Sequence, residues 1–397
     1  MFANRSFTNT MALPPTTSKP GRQPMSCDPI RPFNDLPLLP PATELETKTV
    51  LKACVAARAA ISELRFAGQL IPDQSVLINT IPLLEAKDSS EIENIITTND
   101  ALFREASLGE EAGDPAAKEA LRYRTALYEG FRSLSDRPLT TRTAIEICRT
   151  IKGVDLDLRA TSGTALRNSH TGAVIYTPPE GKDRIRDLLA NWETFINAED
   201  DLDPIVRMAV QHYQFEAIHP FPDGNGRTGR VLNILTLVQR GLLDLPTLYL
   251  SRHILRTRGE YYRLLEGVTT SGEWQPWILY MLHAVEQSAN WSNHKIKAIR
   301  DLMMHTGDRI KTLAPAIYSR ELVELIFAQP YARIGLLVEK GIAKRVAASK
   351  YLKVLADIGI LEEEKIGRDK VFIHRKYMAL LGGDDHTFEP YPPARGA

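Results

Sequence analysis

The sequence predicts a mainly α-helical chain with one small β-hairpin in its middle and a second near its C-terminal end. Apolar residues recur at helical spacing through most of residues 43–312. A short run of β-type residues around a His-Thr-Gly turn, within residues 164–179, indicates the first hairpin. Three short apolar helices followed by two strand-like runs, within residues 316–380, indicate a separate C-terminal unit.

Length and composition set the limits for these elements. The chain has 397 residues, which exceeds the usual size of one domain, so two or three units are expected. Its hydrophobic content of 43% is enough for real cores. The 49 basic and 49 acidic residues balance to a formal charge of zero. Binding to nucleic acid or to a membrane would therefore need a local patch rather than a global field.

The cysteines and the hydropathy indicate the compartment. Cys27, Cys54 and Cys148 are odd in number and widely spaced, which argues against a disulfide framework and against a thiolate zinc site. The first 23 residues hold no apolar run of secretory length, and no later segment reaches transmembrane length. We therefore expect a soluble, cytoplasmic protein that does not bind a membrane.

The N-terminal third begins with a segment of low apolar periodicity. Residues 1–40 are rich in Pro, Ser and Thr, which predicts a disordered arm. Thr43 is the candidate N-cap of the first helix, which is predicted to end near Gly68 and to open a helical region over residues 41–110. Further amphipathic helices are predicted at residues 114–132, 140–152 and 183–198, the second of them opened by Thr140 or Thr141.

The first hairpin is predicted from residues 164–168 and 173–176, with His170, Thr171 and Gly172 as the turn. An isolated hairpin is marginally stable unless another element covers it. An ordinary connecting hairpin is one interpretation. His170, at the tip, is typical of a solvated turn residue rather than of a catalytic base.

The stretch His219–Arg230, with the sequence HPFPDGNGRTGR, holds a titratable base, a carboxylate, three glycines and two arginines. The preceding Pro204–Ile218 has helical periodicity, and Pro220 and Pro222 push the residues before them out of the α conformation. His219 is therefore expected at the end of that helix. A buried helix is predicted to begin near Gly226 or Arg227.

This corner is suited to binding a phosphate chain. The first N–H groups of a helix have no internal partner, and glycines let them approach an anion closely. Arg227 and Arg230 are three residues apart, so their guanidinium groups share a helix face and can grip phosphate oxygens. Asp223 suits a magnesium ion that takes its other ligands from phosphates and water. His219 remains as proton acceptor for an attacking hydroxyl.

Three other interpretations apply to parts of this stretch. Gly224, Gly226 and Gly229 match the dinucleotide-binding spacing, but that fingerprint follows a strand, whereas a helix precedes them here. A Walker A loop would need a lysine and then a Ser or Thr after Gly229, where this sequence has Arg230 and Val231. An ordinary turn would explain Asp-Gly-Asn-Gly alone. It would not explain the flanking histidine and arginines.

HPFPDGNGRTGR resembles the Fic family motif HPFxDGNGRxxR and matches it at every defined position. Members of that family mostly transfer AMP from ATP to a Ser, Thr or Tyr hydroxyl of a protein. The resemblance implies His219 as general base, Asp223 as magnesium ligand, and Arg227 and Arg230 as ligands of the β- and γ-phosphates. The other implied nucleotide-binding residues are Gly224, Asn225 and Gly226 as the anion cradle, Pro220, Phe221 and Pro222 of the same loop, and Gln214 and Arg256.

Residues 88–96 have two interpretations. Ser90-x-x-Glu93 before an apolar pair is typical of a capping box at a helix N-terminus. Ser89-x-x-x-Glu93-Asn94 is similar to the inhibitory motif [S/T]xxxE[G/N] of Fic proteins. In that interpretation, which the resemblance favours, Glu93 pairs with Arg230 and occupies the place of the γ-phosphate.

The resemblance also bears on architecture and partners. It implies a Fic-type helical bundle with a catalytic core over residues 111–312, in which the hairpin is a flap that binds the target by strand addition. The implied cofactors are ATP and Mg²⁺. The implied partner is a protein that bears a modifiable hydroxyl, which includes the chain itself. A homodimer is left open.

The last unit, residues 316–380, has the element pattern of a winged helix-turn-helix domain. Two strands are predicted at residues 359–362 and 370–373, joined through Gly367. The third helix carries four cations, namely Lys344, Arg345, Lys350 and Lys353. DNA contact and protein docking are equally compatible with this pattern, because Glu362–Glu364 lie beside the wing. Residues 381–397 are predicted to be a disordered tail.

The resemblance thus implies a protein adenylyltransferase autoinhibited by Glu93 through Arg230. Three alternatives remain at this point. The same site could remove AMP from a modified protein, with Glu93 orienting water. It could also catalyse another phosphoryl or nucleotidyl transfer. Finally, the chain could be a DNA-binding regulator whose helical body only senses ATP.

Overall fold

A computed structural model describes residues 28–108, 114–167, 171–366 and 369–392. Within these residues the prediction of a mainly α-helical chain is confirmed. The helices are α1 (Lys48–Gly68), α2 (Ser75–Ile78), α3 (Ile81–Ile92), α4 (Asn99–Leu108), α5 (Pro115–Ser133), α6 (Thr141–Lys152), α7 (Lys182–Asn197), α8 (Pro204–Ile218), α9 (Asn225–Gln239), α10 (Leu250–Arg256), α11 (Arg258–Ser271), α12 (Trp274–Leu313), α13 (Arg320–Ala328), α14 (Ile334–Glu339), α15 (Arg345–Asp357) and α16 (Arg375–Gly382).

The strands form two small antiparallel sheets. They are β1 (Leu166–Arg167), β2 (Val174–Tyr176), β3 (Tyr331–Ala332), β4 (Glu362–Ile366) and β5 (Asp369–Ile373). β1 pairs with β2, with Leu166 opposite Tyr176, and this is the hairpin that the sequence predicts. The second sheet has the order β3-β5-β4.

The 40-residue helix α12 is the long axis of the body. α1, α8, α10 and α11 pack along it. Trp277 of α12 is fully buried, and its Nε1 donates to the carbonyl oxygen of Ala209 in α8 at 2.8 Å. Because α13 and α16 also pack on α12, the same helix supports both the body and the C-terminal unit.

The first helix starts later than the sequence predicts. Its N-cap is Thr47, whose Oγ1 accepts a hydrogen bond from the Val50 N–H at 3.3 Å, so the assignment of Thr43 is wrong. The residues between the two threonines are held by other contacts. Leu45 is buried, and a Glu46 carboxylate oxygen accepts from the Asp203 N–H at 2.8 Å. Tertiary contacts therefore outweigh the local capping preference.

The predicted disordered arm is corrected over residues 28–40, and residues 1–27 lie outside the described residues. Phe33, Leu36 and Leu39 are buried in the core. The Phe33 N–H donates to Thr177 O at 3.0 Å, and the Leu39 N–H donates to Asn191 Oδ1 at 2.7 Å. Three apolar anchors three residues apart hold a segment whose overall composition is typical of disorder.

The predicted disordered tail is corrected in the same way. Residue 381 belongs to α16, and residues 383–392 pack against the body. Tyr391 is buried, with its hydroxyl 3.1 Å from Thr306 Oγ1 of α12. Asp384 forms ion pairs with Arg252 at 2.6 Å and with Arg256. Residues 393–397 lie outside the described residues.

Among the described residues the C-terminal unit has four short helices, α13 to α16, one more than the sequence predicts, and it has the predicted hairpin. The first hairpin strand begins at Glu362, not at Gly359, because Gly359 adopts a φ of +75° and ends the turn after α15. Strand β3, which the sequence does not predict, is only two residues long and lacks a readable alternation. Gly367, the predicted turn residue, lies outside the described residues.

Among the helices that the structure describes, none combines the length and the apolar character that a membrane span requires.

Candidate active site

The site is the corner between α8 and α9. His219 follows α8 and has φ 49° and ψ 60°, a left-handed conformation that costs a non-glycine residue about 1–2 kcal/mol. Gly224, with φ +86°, precedes the first residue of α9. The sequence predicts both helix ends within about one residue. The four-residue loop between them therefore joins a strained histidine to a helix N-terminus.

Asn225 closes this loop. Its Oδ1 accepts from the Phe221 N–H at 2.9 Å, and its Nδ2 donates to the Phe221 carbonyl oxygen at 2.8 Å. Phe221 itself is fully buried, whereas Pro222 is exposed. The Asn225 side chain is thus engaged in shaping the loop, rather than free to bind an anion.

Arg159, which the sequence analysis does not single out, holds the other side of the corner. Its Nε donates to the His219 carbonyl oxygen at 2.7 Å, and its Nη2 donates to that of Ile218 at 3.1 Å. Its main-chain N–H donates to Pro220 O at 2.9 Å. Arg159 lies in a loop outside any motif or periodic pattern, so the sequence contains no signal for its role.

The environment of His219 keeps its imidazole neutral. The pKa of His219 is lowered to about 4, mainly by burial and in addition by the nearby Arg159 cation, while Glu93 and Asp223 act in the opposite direction. The imidazole is therefore unprotonated at neutral pH. This is the state that a general base requires.

The carboxylate of Asp223 lies at the mouth of the corner, and about two thirds of the side chain is exposed. The partial burial of Asp223 would raise its pKa, but the Lys152 ammonium outweighs this effect, so the net pKa is lowered. Lys152 forms an ion pair with it, and Arg227 Nη2 lies 3.8 Å from its Oδ1. Arg227 is buried and also pairs with Glu119 of α5.

Arg230 is fully buried and is held by the segment that the sequence predicts to be inhibitory. Its Nη2 donates to Glu93 Oε1 at 2.9 Å and to the Ser89 carbonyl oxygen at 2.9 Å. Its Nε donates to Ser89 Oγ at 2.8 Å. Burial alone would lower the pKa of Arg230, but the Glu93 carboxylate outweighs this effect and raises it.

The Glu93 carboxylate also covers the helix N-terminus. A Cβ at Gly226 would overlap Glu93 Oε1 and would stand 3.0 Å from Arg230 Nη1. Gly226 is in the first turn of α9, where main-chain N–H groups lack helical partners. The corner therefore already holds one anionic group, and that group belongs to the chain itself.

The capping-box interpretation of residues 90–93 is wrong. Glu93 follows the last residue of α3, so Ser90 and Glu93 lie at the C-terminal end of a helix rather than at an N-terminus. Asn94, with φ 63°, ends the helix, and its Oδ1 accepts from Arg258 Nη1 at 3.1 Å. Periodicity does not separate the two ends here, because α3 is buried on nearly all sides.

Buried polar contacts fix α3 in place. Glu85 accepts from the Ser251 N–H at 2.8 Å and from Tyr123 OH at 3.0 Å, and Tyr249 OH donates to Asp88 at 2.5 Å. Burial raises the pKa of Glu85 to about 7. These bonds join α3 to α5 and α10, so Glu93 is presented from a fixed helix.

Glu216 is a second site residue that the sequence analysis missed. It lies one turn before His219, and a Cβ at Gly229 would stand 2.5 Å from its Oε1. Burial raises the pKa of Glu216 to about 8, so the carboxyl is mainly neutral at pH 7. Gly229 thus allows α8 and α9 to approach closely at this carboxyl.

Two predicted nucleotide contacts are engaged elsewhere. Gln214 is buried, and its Nε2 donates to Pro37 O at 2.8 Å. Arg256 pairs with Asp384 of the C-terminal segment. Among the described residues, no hydrogen bond or ion pair is seen between either side chain and residues 219–230, so their assignment as nucleotide contacts stays a prediction.

The β1–β2 hairpin lies beside the corner. Tyr176 OH donates to the Ala217 carbonyl oxygen near the end of α8 at 2.8 Å. Pro179, three residues beyond β2, accepts a bond from Arg159. The hairpin is therefore attached next to His219, while its predicted tip residue His170 lies outside the described residues.

The donor set limits how a metal ion could bind. Across the described ranges, no three His, Cys, Asp or Glu side chains are gathered closely enough to form a metal site. Asp223 offers an exposed carboxylate with a lowered pKa beside the anion cradle. One carboxylate fits a magnesium ion that takes its other ligands from phosphate and water.

Comparison with known families gives three successive matches. Residues 51–132 match the family described as Fic/DOC family N-terminal, and residues 138–237 match the Fic/DOC family. Residues 302–377 match the C-terminal domain of proteins described as protein adenylyltransferase SoFic-like.

Known relatives share shorter segments. Protein adenylyltransferase fic-1 of Caenorhabditis elegans is 33% identical over 132 residues, covering 33% of this chain and 25% of the relative. Protein adenylyltransferase Fic of Culex quinquefasciatus is 28% identical over 152 residues, covering 38% of this chain and 28% of the relative. The chain thus spans about a quarter of the length of these relatives.

Two solved structures have a similar fold at low sequence identity. A Fic family protein from Desulfovibrio desulfuricans has a TM-score of 0.50 and 19% identity, covering 83% of this chain and 98% of its own. A Fic domain containing signaling protein from Bacteroides thetaiotaomicron has a TM-score of 0.50 and 20% identity, covering 61% of this chain and 97% of its own. These likenesses concern the fold.

Proposed function

We propose, from the premise that this chain belongs to the Fic/DOC family, that it is a protein adenylyltransferase. The reaction transfers AMP from ATP to a Ser, Thr or Tyr hydroxyl of a protein, and pyrophosphate leaves. The corner between α8 and α9 supplies the binding groups and the base for this reaction.

The single observation that carries the proposal is the Glu93 carboxylate on Arg230 and over Gly226. An anion is stable there because the Arg230 guanidinium group binds it and because it lies beside the first turn of α9, the positive end of the helix dipole. A terminal phosphate offers the same chemistry with more charge and more acceptor oxygens. The corner therefore has the groups that bind a terminal phosphate, and the Glu93 carboxylate occupies the position that we assign to that phosphate.

His219 acts as the base. Its pKa, lowered to about 4 by burial, leaves the imidazole free to accept the proton of the target hydroxyl. That oxygen then attacks the α-phosphorus in line with the departing pyrophosphate. Arg227 and Arg230 hold the β- and γ-phosphates and so orient the α-phosphate toward the histidine.

Asp223 is the residue that would hold Mg²⁺. A magnesium ion held there would neutralise phosphate charge. The Asp223 carboxylate is now paired with Lys152, and this ion pair would have to break for the ion to bind. The Glu119 partner of Arg227 remains in place because it belongs to α5.

Glu93 inhibits by occupying the γ-phosphate position. With Arg230 bound to Glu93 and Ser89, a nucleotide can bind only in a pose that lacks this contact. The α-phosphate is then displaced from in-line geometry, and transfer is slow. Release of Glu93 restores the productive pose.

The test uses α-labelled ATP, magnesium and a cell lysate with three proteins: the wild type, Glu93→Gly and Glu93→Gly/His219→Ala. We expect strong protein labelling by Glu93→Gly only. Mass spectrometry of a labelled protein separates AMP from phosphate by the added mass. Loss of AMP from a premodified target would instead favour de-AMPylation, with Glu93 orienting water. Equal labelling by all three proteins contradicts the proposal.

A specific observation favours a second binding function in the C-terminal unit. α15 exposes Arg345, Lys350 and Lys353, and Val346 near its start is 86% exposed. The acidic residues of β4 are neutralised locally, since Glu362 and Glu364 pair with Arg375 and Glu363 pairs with Lys370. The cations of α15 thus remain available, and we propose that this face binds duplex DNA as a winged helix.

A gel-shift series with the full chain tests this second function against salt concentration. Binding that weakens linearly in log[salt] is expected from phosphate contacts. If the chain binds a protein partner but does not shift the DNA band in the gel, the C-terminal unit is a protein-docking module instead. His219→Ala should bind DNA like the wild type, because the two sites use different residues.

A further inference from the structure

We propose that Arg159 is a positioning residue for the transfer reaction, which holds His219 in its left-handed conformation and ties it to the base of the β1–β2 hairpin. The inference rests on the proposed function, because it assigns a role in that reaction. Arg159 lies in the irregular segment between α6 and β1.

The contacts of Arg159 converge on the end of α8. Nε donates to His219 O at 2.7 Å, Nη2 donates to Ile218 O at 3.1 Å, and the main-chain N–H donates to Pro220 O at 2.9 Å. Three consecutive carbonyl groups around the catalytic base are therefore bound by one residue. The last carbonyls of a helix lack helical partners, and a cation there complements the helix dipole.

The planar guanidinium group suits this task. Two of its nitrogens bind two adjacent carbonyls at the same time, in a fixed fork that a lysine ammonium cannot reproduce. With both carbonyls bound, the peptide planes on either side of the His219 Cα have fixed orientations. The left-handed φ and ψ of His219 follow from those orientations, and so does the direction of its imidazole.

The same guanidinium group reaches the hairpin. Nη2 also donates to the carbonyl oxygen of Pro179, which follows β2. Tyr176 of β2 is bonded to α8 through Ala217 O at 2.8 Å. A target segment aligned on the hairpin is thereby held at a set position relative to the imidazole.

The charge of Arg159 is not explained by stability alone. The side chain is buried, and the acceptors of its hydrogen bonds among the described residues are neutral carbonyl oxygens. The Glu180 carboxylate favours the charged form of Arg159 but forms no hydrogen bond with it. A buried cation without a hydrogen-bonded carboxylate is costly to maintain. Arg207, at the start of α8, shows the ordinary arrangement, since it binds Phe195 O and also pairs with Asp200.

The charged groups that act on the imidazole come from three elements. Arg159 favours its neutral form, and Glu93 and Asp223 favour its protonated form. Removal of the Arg159 charge is therefore expected to raise the pKa of His219. The size of that shift reports how closely the guanidinium group lies to the imidazole, whereas kcat reports whether the imidazole is correctly placed.

The experiment compares Arg159→Lys and Arg159→Met in the Glu93→Gly protein, with Arg207→Met as the matched control. We expect kcat to fall about 10- to 100-fold in both Arg159 variants, from misplacement of the base, with KM for ATP nearly unchanged. NMR titration of the His219 ring should show a raised pKa in Arg159→Met and little change in Arg159→Lys. Arg207→Met should lower Tm without changing either readout.

The two readouts separate this inference from the proposed function. Failure of the Glu93→Gly protein to transfer AMP overturns the function, and the NMR titration then still tests the position of His219. If Arg159→Met does not fold, the test is the comparison of kcat between Arg159→Lys and the Arg207→Met control. The inference is overturned if the folded Arg159 variants match the Arg207 control in kcat per folded molecule and in the His219 titration.

Discussion

The corner between α8 and α9 and the exposed face of α15 both concentrate cations, but they hold them in opposite ways. Arg227 and Arg230 are buried and are paired with Glu119 and Glu93. Lys350 and Lys353 of α15 are exposed to solvent. Charges in a buried, preorganised site interact strongly and are little screened by salt, whereas exposed charges are screened within about 10 Å at 0.1 M salt.

This difference separates the two proposed activities experimentally. Substitutions in the corner are expected to have large effects that hardly depend on salt. Substitutions on α15 are expected to have smaller effects that disappear at high salt. No substitution in one region should alter the activity of the other, because their side chains are not shared.

The largest expected effect comes from removing the base. His219→Ala in the Glu93→Gly protein should reduce AMP transfer by about 10² to 10⁴-fold, since no other group accepts the hydroxyl proton. Labelling with α-labelled ATP measures the loss. Nucleotide affinity, measured by calorimetry, should be kept because the phosphate-binding groups remain. A variant with full activity would remove His219 from the mechanism.

Release of inhibition is the next effect. Glu93→Gly should raise AMP transfer by about 10- to 100-fold, the factor that corresponds to a charged hydrogen bond of about 1.5–3 kcal/mol. Glu91→Gly is the matched control, since Glu91 is on the same helix end but pairs with Lys87 instead of Arg230. Similar activation by both variants would show that loosening of α3, rather than loss of the Glu93 carboxylate, is responsible.

The pH dependence of the activated protein should be shallow near neutrality. The lowered pKa of His219, about 4, means that the imidazole stays neutral as the pH falls from 8 to 5. The contribution of His219 is lost only as the pH passes below that value and the ring gains a proton. The rate of AMP transfer by Glu93→Gly, measured from pH 8 to below pH 4, gives this pH dependence, and circular dichroism checks that the protein stays folded. A midpoint near 6.5 would mean that the ring is solvated.

The smallest effect is expected on α15. Lys350→Glu with Lys353→Glu should weaken DNA binding at low salt and reduce the slope of log affinity against log[salt], because each phosphate contact contributes about 0.9 to that slope. AMP transfer by the same variant should be unchanged. Ser349→Ala, on the same exposed face, serves as the uncharged control. An unchanged salt slope would argue for protein docking.

The sequence predicts the corner well because its constraints are local. Prolines stop α8, glycines open α9, and the spacing of Arg227 and Arg230 follows from helix geometry. The sequence does not show which end of a helix Glu93 occupies, because a helix buried on most sides has no polar face to mark its bounds. The observed end of α3 at Ile92 makes Glu93 a C-terminal carboxylate rather than part of an N-terminal cap.

The contacts that the sequence could not show are long-range. Arg159 binds main-chain carbonyl oxygens. Because every residue type has such an oxygen, the sequence does not indicate which residues Arg159 contacts. Residues 28–40 and 383–392 pack through a few anchors, such as Leu36 and Tyr391, in segments whose composition is typical of disorder. The composition of a segment describes only that segment, whereas its burial depends on the surface of the rest of the protein against which it packs.

The central claim is that Glu93 and the γ-phosphate of ATP compete for one anion position between Gly226 and Arg230. The most direct measurement is a crystal structure of the Glu93→Gly protein with magnesium and a non-hydrolysable ATP analogue. We predict a terminal phosphate within hydrogen-bond distance of Arg230 and above Gly226, with the α-phosphate facing His219. A terminal phosphate bound away from Arg230 would contradict the account.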